Sequence, residues 1–183
     1  MPDNISDREL VKAFREGDKE AFGDLVRKYQ KQIYHFAFGI MTNHHLAEDV
    51  SQEAFIRFWK SLRSGAFDTT QLVYPYLRTI CLNLSRDYLS ERKHNMKPID
   101  GIDVAVKSDC GEKIDVDKEQ VRQAIESLVP EYRMVLTLRV IEGLSYEAIS
   151  KAVNCPVGTV MSRLFRARTE LRSKLNIKEQ NAK

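Results

Sequence analysis

Cysteine is scarce and scattered: Cys81, Cys110 and Cys155 are odd in number and form no C-x-x-C pair. Neither a disulfide framework nor a zinc knuckle is encoded, and a reducing compartment is the simplest home. Long apolar runs are missing as well, so nothing approaches the length of a membrane span. The opening MPDNISDREL is polar and acidic, without the apolar core of a signal peptide. A cytoplasmic protein with no membrane insertion is expected. Catalytic signatures are equally thin, with no glycine-rich phosphate loop and no nucleophile motif in the chain. The adjacent His44 and His45 point in different directions on a helix and cannot share a metal. A helical carboxylate-metal site built on Glu48, Asp49 and Glu53 would need paired Glu-x-x-His motifs projecting into the bundle, and no such pair occurs. No enzyme, metal or cofactor is expected. An excess of one charge is lacking too: 29 Lys+Arg stand against 26 Asp+Glu, a net charge of +3. Basicity therefore matters only where it is concentrated.

Glycine and proline number only 8 and 5 in 183 residues. They thin out over 18–63 and 76–93, where apolar residues recur at helical spacing with almost no period-two alternation. The chain reads as all-α. Ser6 with Glu9 is a capping-box signature for a short helix ending at Gly17. A longer helix follows, with Phe22, Leu25, Val26, Tyr29, Ile33, Phe36, Ala37 and Ile40 on its core face, and Thr42 and Asn43 break it. A third, about His45 to Leu62, buries Val50, Ala54, Phe58 and Leu62. A fourth, about Tyr74 to Lys93, buries Leu77, Ile80, Leu84 and Leu89. Residues 94–114 hold glycines and a proline but no sustained periodicity, which marks a linker. Seven acids (Asp100, Asp103, Asp109, Glu112, Asp115, Asp117, Glu119) face Lys107, Lys113 and Lys118 between Asp100 and Glu119. That acidity suits either a soluble spacer or a shield over a basic surface. Two small helical domains joined by a flexible acidic linker result: 1–93, 94–114 as linker, and 115–183.

The second domain is expected to hold helices over Val116–Leu128, Pro130–Glu142, Tyr146–Val153 and Pro156–Leu175. Its last two read as a helix-turn-helix. Ile149, Ala152 and Val153 face inward, and Ser150 is small where two helices meet. Asn154 supplies the turn, because asparagine tolerates the left-handed conformation that ends helices, and Pro156 suits the first position of a new helix. Val160, Leu164, Ala167, Leu171 and Leu175 form one apolar stripe. Thr159, Ser162 and Arg166 point away from it, and Arg163 and Arg168 flank it. From Val157 to Lys174 the bases Arg163, Arg166, Arg168, Arg172 and Lys174 meet the single acid Glu170. Such a face suits phosphates and guanine edges.

Two further constellations lie in the first domain. In AEDVSQEAFIRFW, residues 47–59, the helical spacing gives Asp49, Gln52, Glu53 and Lys60 one polar face opposite Val50, Ala54 and Phe58; it is either solvated surface or the seat of a basic partner. YPYLRTICLNLSRDYLSERK interleaves Arg78, Arg86, Arg92 and Lys93 with Tyr74, Tyr76 and Tyr88, and carries Asn83 midway. Cations hold a backbone and aromatic rings stack on unpaired bases. The preceding RSGAFDTTQL is polar and flexible except for Phe67, so it forms a pocket for a flipped base or only connects two helices.

These blocks, with LVPEYRMVLTLRVIEGLSYEAISKAVNCPVGTVMSRLFRAR, occur in an order that strongly resembles the extracytoplasmic-function (ECF) group of bacterial RNA polymerase sigma factors. The resemblance covers nearly the whole chain. Its most specific pieces are Asp49–Phe55, acid-x-x-Gln-Glu-x-Phe, and Gly158–Arg168, Gly-Thr-Val-x-Ser-Arg-Leu-x-Arg-Ala-Arg. It implies an amino-terminal domain that binds the β′ clamp coiled coil of RNA polymerase core and melts the −10 element, and a carboxy-terminal domain that reads the −35 element beside the β flap. Asp49, Gln52 and Glu53 would face β′, with Phe55 and Trp59 helping to hold that helix. Phe67, Tyr76, Arg78, Asn83, Arg86, Arg92 and Lys93 would engage the unpaired −10 strand. Thr159, Ser162, Arg163, Arg166 and Arg168 would meet the −35 major groove of promoter DNA. Tyr76 stands where the family often has tryptophan, and Asn154 where its turn usually has glycine. The interdomain stretch is too short for the extra domain of housekeeping sigma factors. An anti-sigma protein is an expected partner, and the free chain is expected to be a monomer. Taken alone, the terminal helix pair leaves repressor, activator and sigma factor open. A dimeric regulator would bind a palindromic site without polymerase.

Overall fold

A computed structural model of the chain describes residues 6–95 and 116–175, with side chains over 6–91 and 119–175. Among the described residues there are eight helices and no strand. The chain divides into two compact units between Asp87 and Tyr88.

The first unit holds α1 (Asp7–Arg15), α2 (Lys19–Met41), α3 (His44–Arg63) and most of α4 (Val73–Asn95). Local chemistry sets nearly every boundary. Ser6 Oγ accepts from the Glu9 amide at 3.3 Å while the Glu9 carboxylate accepts from the Ser6 amide at 2.8 Å, which satisfies two donors left over at the start of α1. Gly17, with φ +110°, ends that turn. Asp18 caps α2 through the Glu20 amide at 2.9 Å. Thr42 closes α2 in the left-handed conformation at φ 55°, and Asn43 opens α3 by accepting from the Leu46 amide at 3.1 Å. The break expected at Thr42 and Asn43 is therefore a C-cap followed at once by an N-cap.

Leu25, Ile33, Phe36 and Ile40 of α2 meet Ala47, Ala54, Phe58 and Leu62 of α3 in the core, all fully or almost fully buried. α4 joins them with a stripe shifted from the expected one. Leu77, Cys81 and Ser85, at four-residue intervals, are completely buried, whereas Ile80, Leu84 and Leu89 are only half-buried. Leu82 is buried beside them, and Ser85 satisfies its hydroxyl by donating to the Cys81 carbonyl at 2.9 Å. Of the expected linker 94–114, His94 and Asn95 continue α4, and residues 96–114 lie outside the described residues.

The second unit is built on α5 (Val116–Glu126), α6 (Pro130–Val140), α7 (Tyr146–Val153) and α8 (Val157–Lys174). Arg133 of α6 is buried, and its Nη1 donates to the Glu126 and Leu128 carbonyls at 2.9 and 2.6 Å. It closes the carboxyl end of α5. Ser145 caps α7 through the Ala148 amide at 3.2 Å. Asn154 ends α7 at φ 51°, ψ 55°, the left-handed well. Ser150 Oγ donates to the Cys155 carbonyl at 2.6 Å, which pins the turn. Pro156 is the N-cap of α8 and not its first residue, so its fixed φ serves the entry to the helix. Val160, Leu164 and Ala167 of α8 pack with Ile149, Val135 and Leu138 in the core, while Leu171 and Leu175 are half-buried.

Candidate nucleic-acid interface

The buried side of α3 is complete within the first unit, since Ala47, Val50, Ala54, Phe58 and Leu62 are all in the core. Phe55 is buried too, and half-buried Trp59 carries the Arg63 guanidinium over its ring at 4.8 Å. Asp49, Gln52 and Lys60 are exposed on the opposite side. Glu53 is half-buried beside them and accepts from Arg57 Nε at 3.0 Å. A fifth residue shares this strip: Ile56, at 46% exposure, is an apolar side chain that no core claims. Its periodicity, off the Val50–Ala54–Phe58 line, was the signal by which sequence reasoning could have found it.

The loop between α3 and α4 is ordered from within. The Phe67 amide donates to the Ser61 carbonyl at 3.2 Å and its own carbonyl accepts from Arg15 Nη2 at 2.6 Å. The Thr70 amide donates to Asp68 Oδ1 at 2.9 Å and holds that carboxyl below its usual range. These bonds drive the Phe67 ring inward. It is 2% exposed and stands edge-on to Phe58 and Tyr76, with centroids 5.4 and 4.9 Å away. Phe67 was expected to meet an unpaired base; in this structure its ring fills the core between Phe58 and Tyr76 and presents no open face. The same geometry engages the half-buried Tyr76, and Tyr74 is stacked on Tyr29 at 5.8 Å. Of the three tyrosines interleaved along α4, Tyr88 is the exposed one.

On α4 the cation Arg86 and the amide of Asn83 are brought together, with Arg86 Nη2 donating to Asn83 Oδ1 at 3.1 Å. Tyr76 stands two turns before Asn83 on the same face. Arg78 lies about 140° round the helix from Asn83 and about 80° from Arg86. The side chains of Arg92 and Lys93, also expected at this surface, lie outside the described residues.

On α8 the expected residues fall on two flanks. Thr159, Arg163 and Arg166 share one, and Arg168 lies on the other, about 160° from Arg166 by helical rotation. Ser162 lies between, exposed, with its hydroxyl donating to the Thr159 carbonyl at 3.0 Å. Arg166 and Arg168 are exposed, whereas Arg163 is half-buried with Nη1 3.9 Å from Cys155 Sγ. Arg163 thus leans on the turn as well as on the outward face.

The chain matches the family description Sigma-70 region 2 over residues 25–95 and Sigma-70, region 4 over residues 118–171. It is 36% identical over 181 residues to the RNA polymerase sigma-H factor of Pseudomonas aeruginosa, covering 88% of this chain and 90% of that one. It is 34% identical over 188 residues to the ECF RNA polymerase sigma-E factor of Escherichia coli, covering 96% of this chain and 97% of that one. The chain belongs to the ECF RNA polymerase sigma factors.

In fold, this sigma factor is similar to the sigma factor RpoE of Bartonella quintana, solved with the anti-sigma factor NepR (TM-score 0.69, 23% identity, 86% of this chain and 98% of that chain). It is likewise similar to CnrH, solved with the cytosolic domain of CnrY (TM-score 0.62, 24% identity, 94% and 99% coverage). The region 2 match takes in α3 and α4, and the region 4 match takes in the helix-turn-helix of α7 and α8. Among the described residues of the sigma factor, no helix is long and apolar enough to cross a membrane. No group of three or more His, Cys, Asp or Glu among them is placed to hold a metal ion. Sequence reasoning also passed over two exposed apolar residues of α8, Met161 and Phe165.

Proposed function

We propose that this protein docks on RNA polymerase core through α3 and carries the core to promoters that it grips at two points. The observation that carries the reading is the division of α3: one side is spent in the core, and the other offers Asp49, Gln52, Glu53, Ile56 and Lys60 as a continuous strip. Charge at the edge and an isoleucine at the centre is the composition of a docking surface, where the apolar centre supplies affinity and the rim supplies register. The partner would be the β′ coiled coil, with Phe55 and Trp59 bracing the helix from behind.

The −10 strand would meet Asn83, Arg86 and Tyr88, with Tyr76 at the edge and Arg92 and Lys93 beyond it; Arg78 contributes from another side of α4. The −35 duplex would receive α8 in its major groove, Thr159, Ser162, Arg163 and Arg166 on one side and Arg168 on the other, beside the β flap. Phe67 has no part in this except to hold the loop. The protein acts in the cytoplasm, as a binding factor and not as an enzyme, and as a monomer when free. An anti-sigma protein is the natural regulator, a reading supported by the similarly folded sigma factor RpoE, which is solved with the anti-sigma factor NepR.

The test is co-purification with core polymerase. Asp49→Ala and Gln52→Ala together should lower core affinity at least tenfold while leaving the helical signal of the full chain unchanged. Retention of full affinity would refute the docking assignment. On promoter DNA, Arg166→Ala should cost about 1–3 kcal/mol at one base position if it reads a base, and should weaken all sequences alike if it holds a phosphate. A dimer on a sizing column that binds a palindrome without polymerase would favour the regulator reading instead.

A further inference from the structure

A row of cations runs along one side of α1. Arg8, Lys12 and Arg15 follow one another at intervals of four and three residues, so they lie on successive turns over about 10 Å of helix. Together with Glu16, and with Thr69 and Thr70 of the loop between α3 and α4, they line a cleft of about 460 Å³ inside the first unit. Every one of the six residues is exposed. Three cations meet one acid there, in a chain whose whole net charge is +3.

These cations are open to a ligand. Arg8 makes no hydrogen bond or ion pair among the described residues. Lys12 Nζ is 3.8 Å from Glu16 Oε1, and an exposed pair of that kind is worth little. Arg15 is held in place, because its Nη2 donates to the Phe67 carbonyl at 2.6 Å. A guanidinium carries five N–H donors, so this bond leaves others for an anion. The acid of the loop, Asp68, is engaged by the Thr70 amide at 2.9 Å. Two planar guanidinium forks, an ammonium and neighbouring hydroxyls form a donor set for phosphate oxygens. Three positive charges exceed what a single carboxylate balances. We propose that this cleft binds two neighbouring phosphate groups, supplied by the backbone of a nucleic-acid strand or by a free oligophosphate. Arg15 also anchors the loop that seats Phe67, so a filled cleft steadies that loop. The strand source rests on the reading that the first unit meets the −10 strand; the free source does not.

Two arms separate the sources, each comparing the full chain with its Arg8→Gln, Lys12→Gln double variant. Both positions are exposed on a helix and Arg15 stays to hold the loop, so the variant should unfold at the midpoint of the parent and assemble with core as well. In the first arm inorganic pyrophosphate is titrated by calorimetry at fixed ionic strength. A free source predicts that the parent binds it and that the variant binds it about tenfold more weakly, the worth of one hydrogen bond to a charged group. In the second arm each protein, assembled with core polymerase, binds the non-template strand of a promoter enriched from a random duplex pool, over a range of salt. A strand source predicts a salt slope shallower by about 1.4 in the variant, about 0.7 for each phosphate contact removed, and alike on every sequence. Weakened pyrophosphate binding with an unchanged slope supports the free oligophosphate, and a shallower slope supports the strand. Equal behaviour of parent and variant in both arms overturns the proposal. A parent holoenzyme that binds no strand at any salt refutes the −10 reading of the first unit, and the pyrophosphate arm then decides the cleft alone.

Discussion

Replacing Phe67 with alanine removes a fully buried ring from between two other aromatic rings, Phe58 at 5.4 Å and Tyr76 at 4.9 Å. Large-to-small changes of this kind cost about 3–5 kcal/mol, the lost transfer energy plus the cavity left behind. Each edge-to-face pair accounts for about 0.5–1.5 kcal/mol, so the upper half of that range is expected here. A domain of this size has about 5–15 kcal/mol in all, and about 4 kcal/mol consumes much of it. At about 4–8 °C per kcal/mol for a small domain, the midpoint of the first unit should fall by roughly 16 °C or more. The assay has a built-in reporter: the chain holds a single tryptophan, and Trp59 lies in the first unit, so its fluorescence follows that unit alone. Phe67→Leu keeps most of the volume and should lose less than half as much. If Phe67→Ala left the Trp59 transition within about 0.5 kcal/mol of the parent and weakened only strand binding, the ring would be a nucleic-acid contact and the burial argument would be wrong.

The helix-turn-helix turn should accept Asn154→Gly with little change, whereas Asn154→Val, a β-branched residue forced to φ 51°, should destabilise the second unit by about 1–2 kcal/mol in chemical denaturation. Burial pushes the Arg133 guanidinium below its ordinary pKa, opposed by the charges of Glu126 and Glu131; Arg133→Ala leaves the carbonyls of Glu126 and Leu128 without it and should cost about 2–4 kcal/mol in thermal unfolding. Hydrogen bonds from Arg122 and then Gln123 pull the Glu119 carboxyl down to about 2. A depressed carboxylate contributes above its ordinary pKa and stops contributing as pH falls towards 2, so an NMR titration should find Glu119 still charged at pH 3, and Arg122→Ala should return its midpoint to the usual range.

The boundaries of this fold were legible because they are set by near neighbours in sequence. Ser6 with Glu9, Asn43, Ser145 and Asn154 act within three or four residues of where they stand, and each sits at the cap its type foretells. Asn154 in particular adopts the left-handed well that its identity in the turn implied. The apolar line of α8 was legible for the same reason, being a matter of helical period. What escaped depended on distant partners. Cys81 and Ser85 lie in the core with Leu77 and Leu82 while Ile80 and Leu84 are half-buried, and residue type alone ranks the larger side chains inside. Phe67 looked like an available ring in a polar loop, but bonds from Arg15 and to Ser61 turn that loop inward. Ile56, Met161 and Phe165 broke the polar pattern of their outward faces; the departure was visible in the period and its meaning was not.

Promoter-specific transcription with purified core polymerase tests the central claim most directly. With the full chain added, transcripts should start at a fixed distance downstream of the enriched promoter and nowhere on a scrambled template, and Asp49→Ala with Gln52→Ala should remove them while the free protein stays folded. Equal transcription with and without the chain, or specific starts that survive loss of the α3 strip, would contradict it.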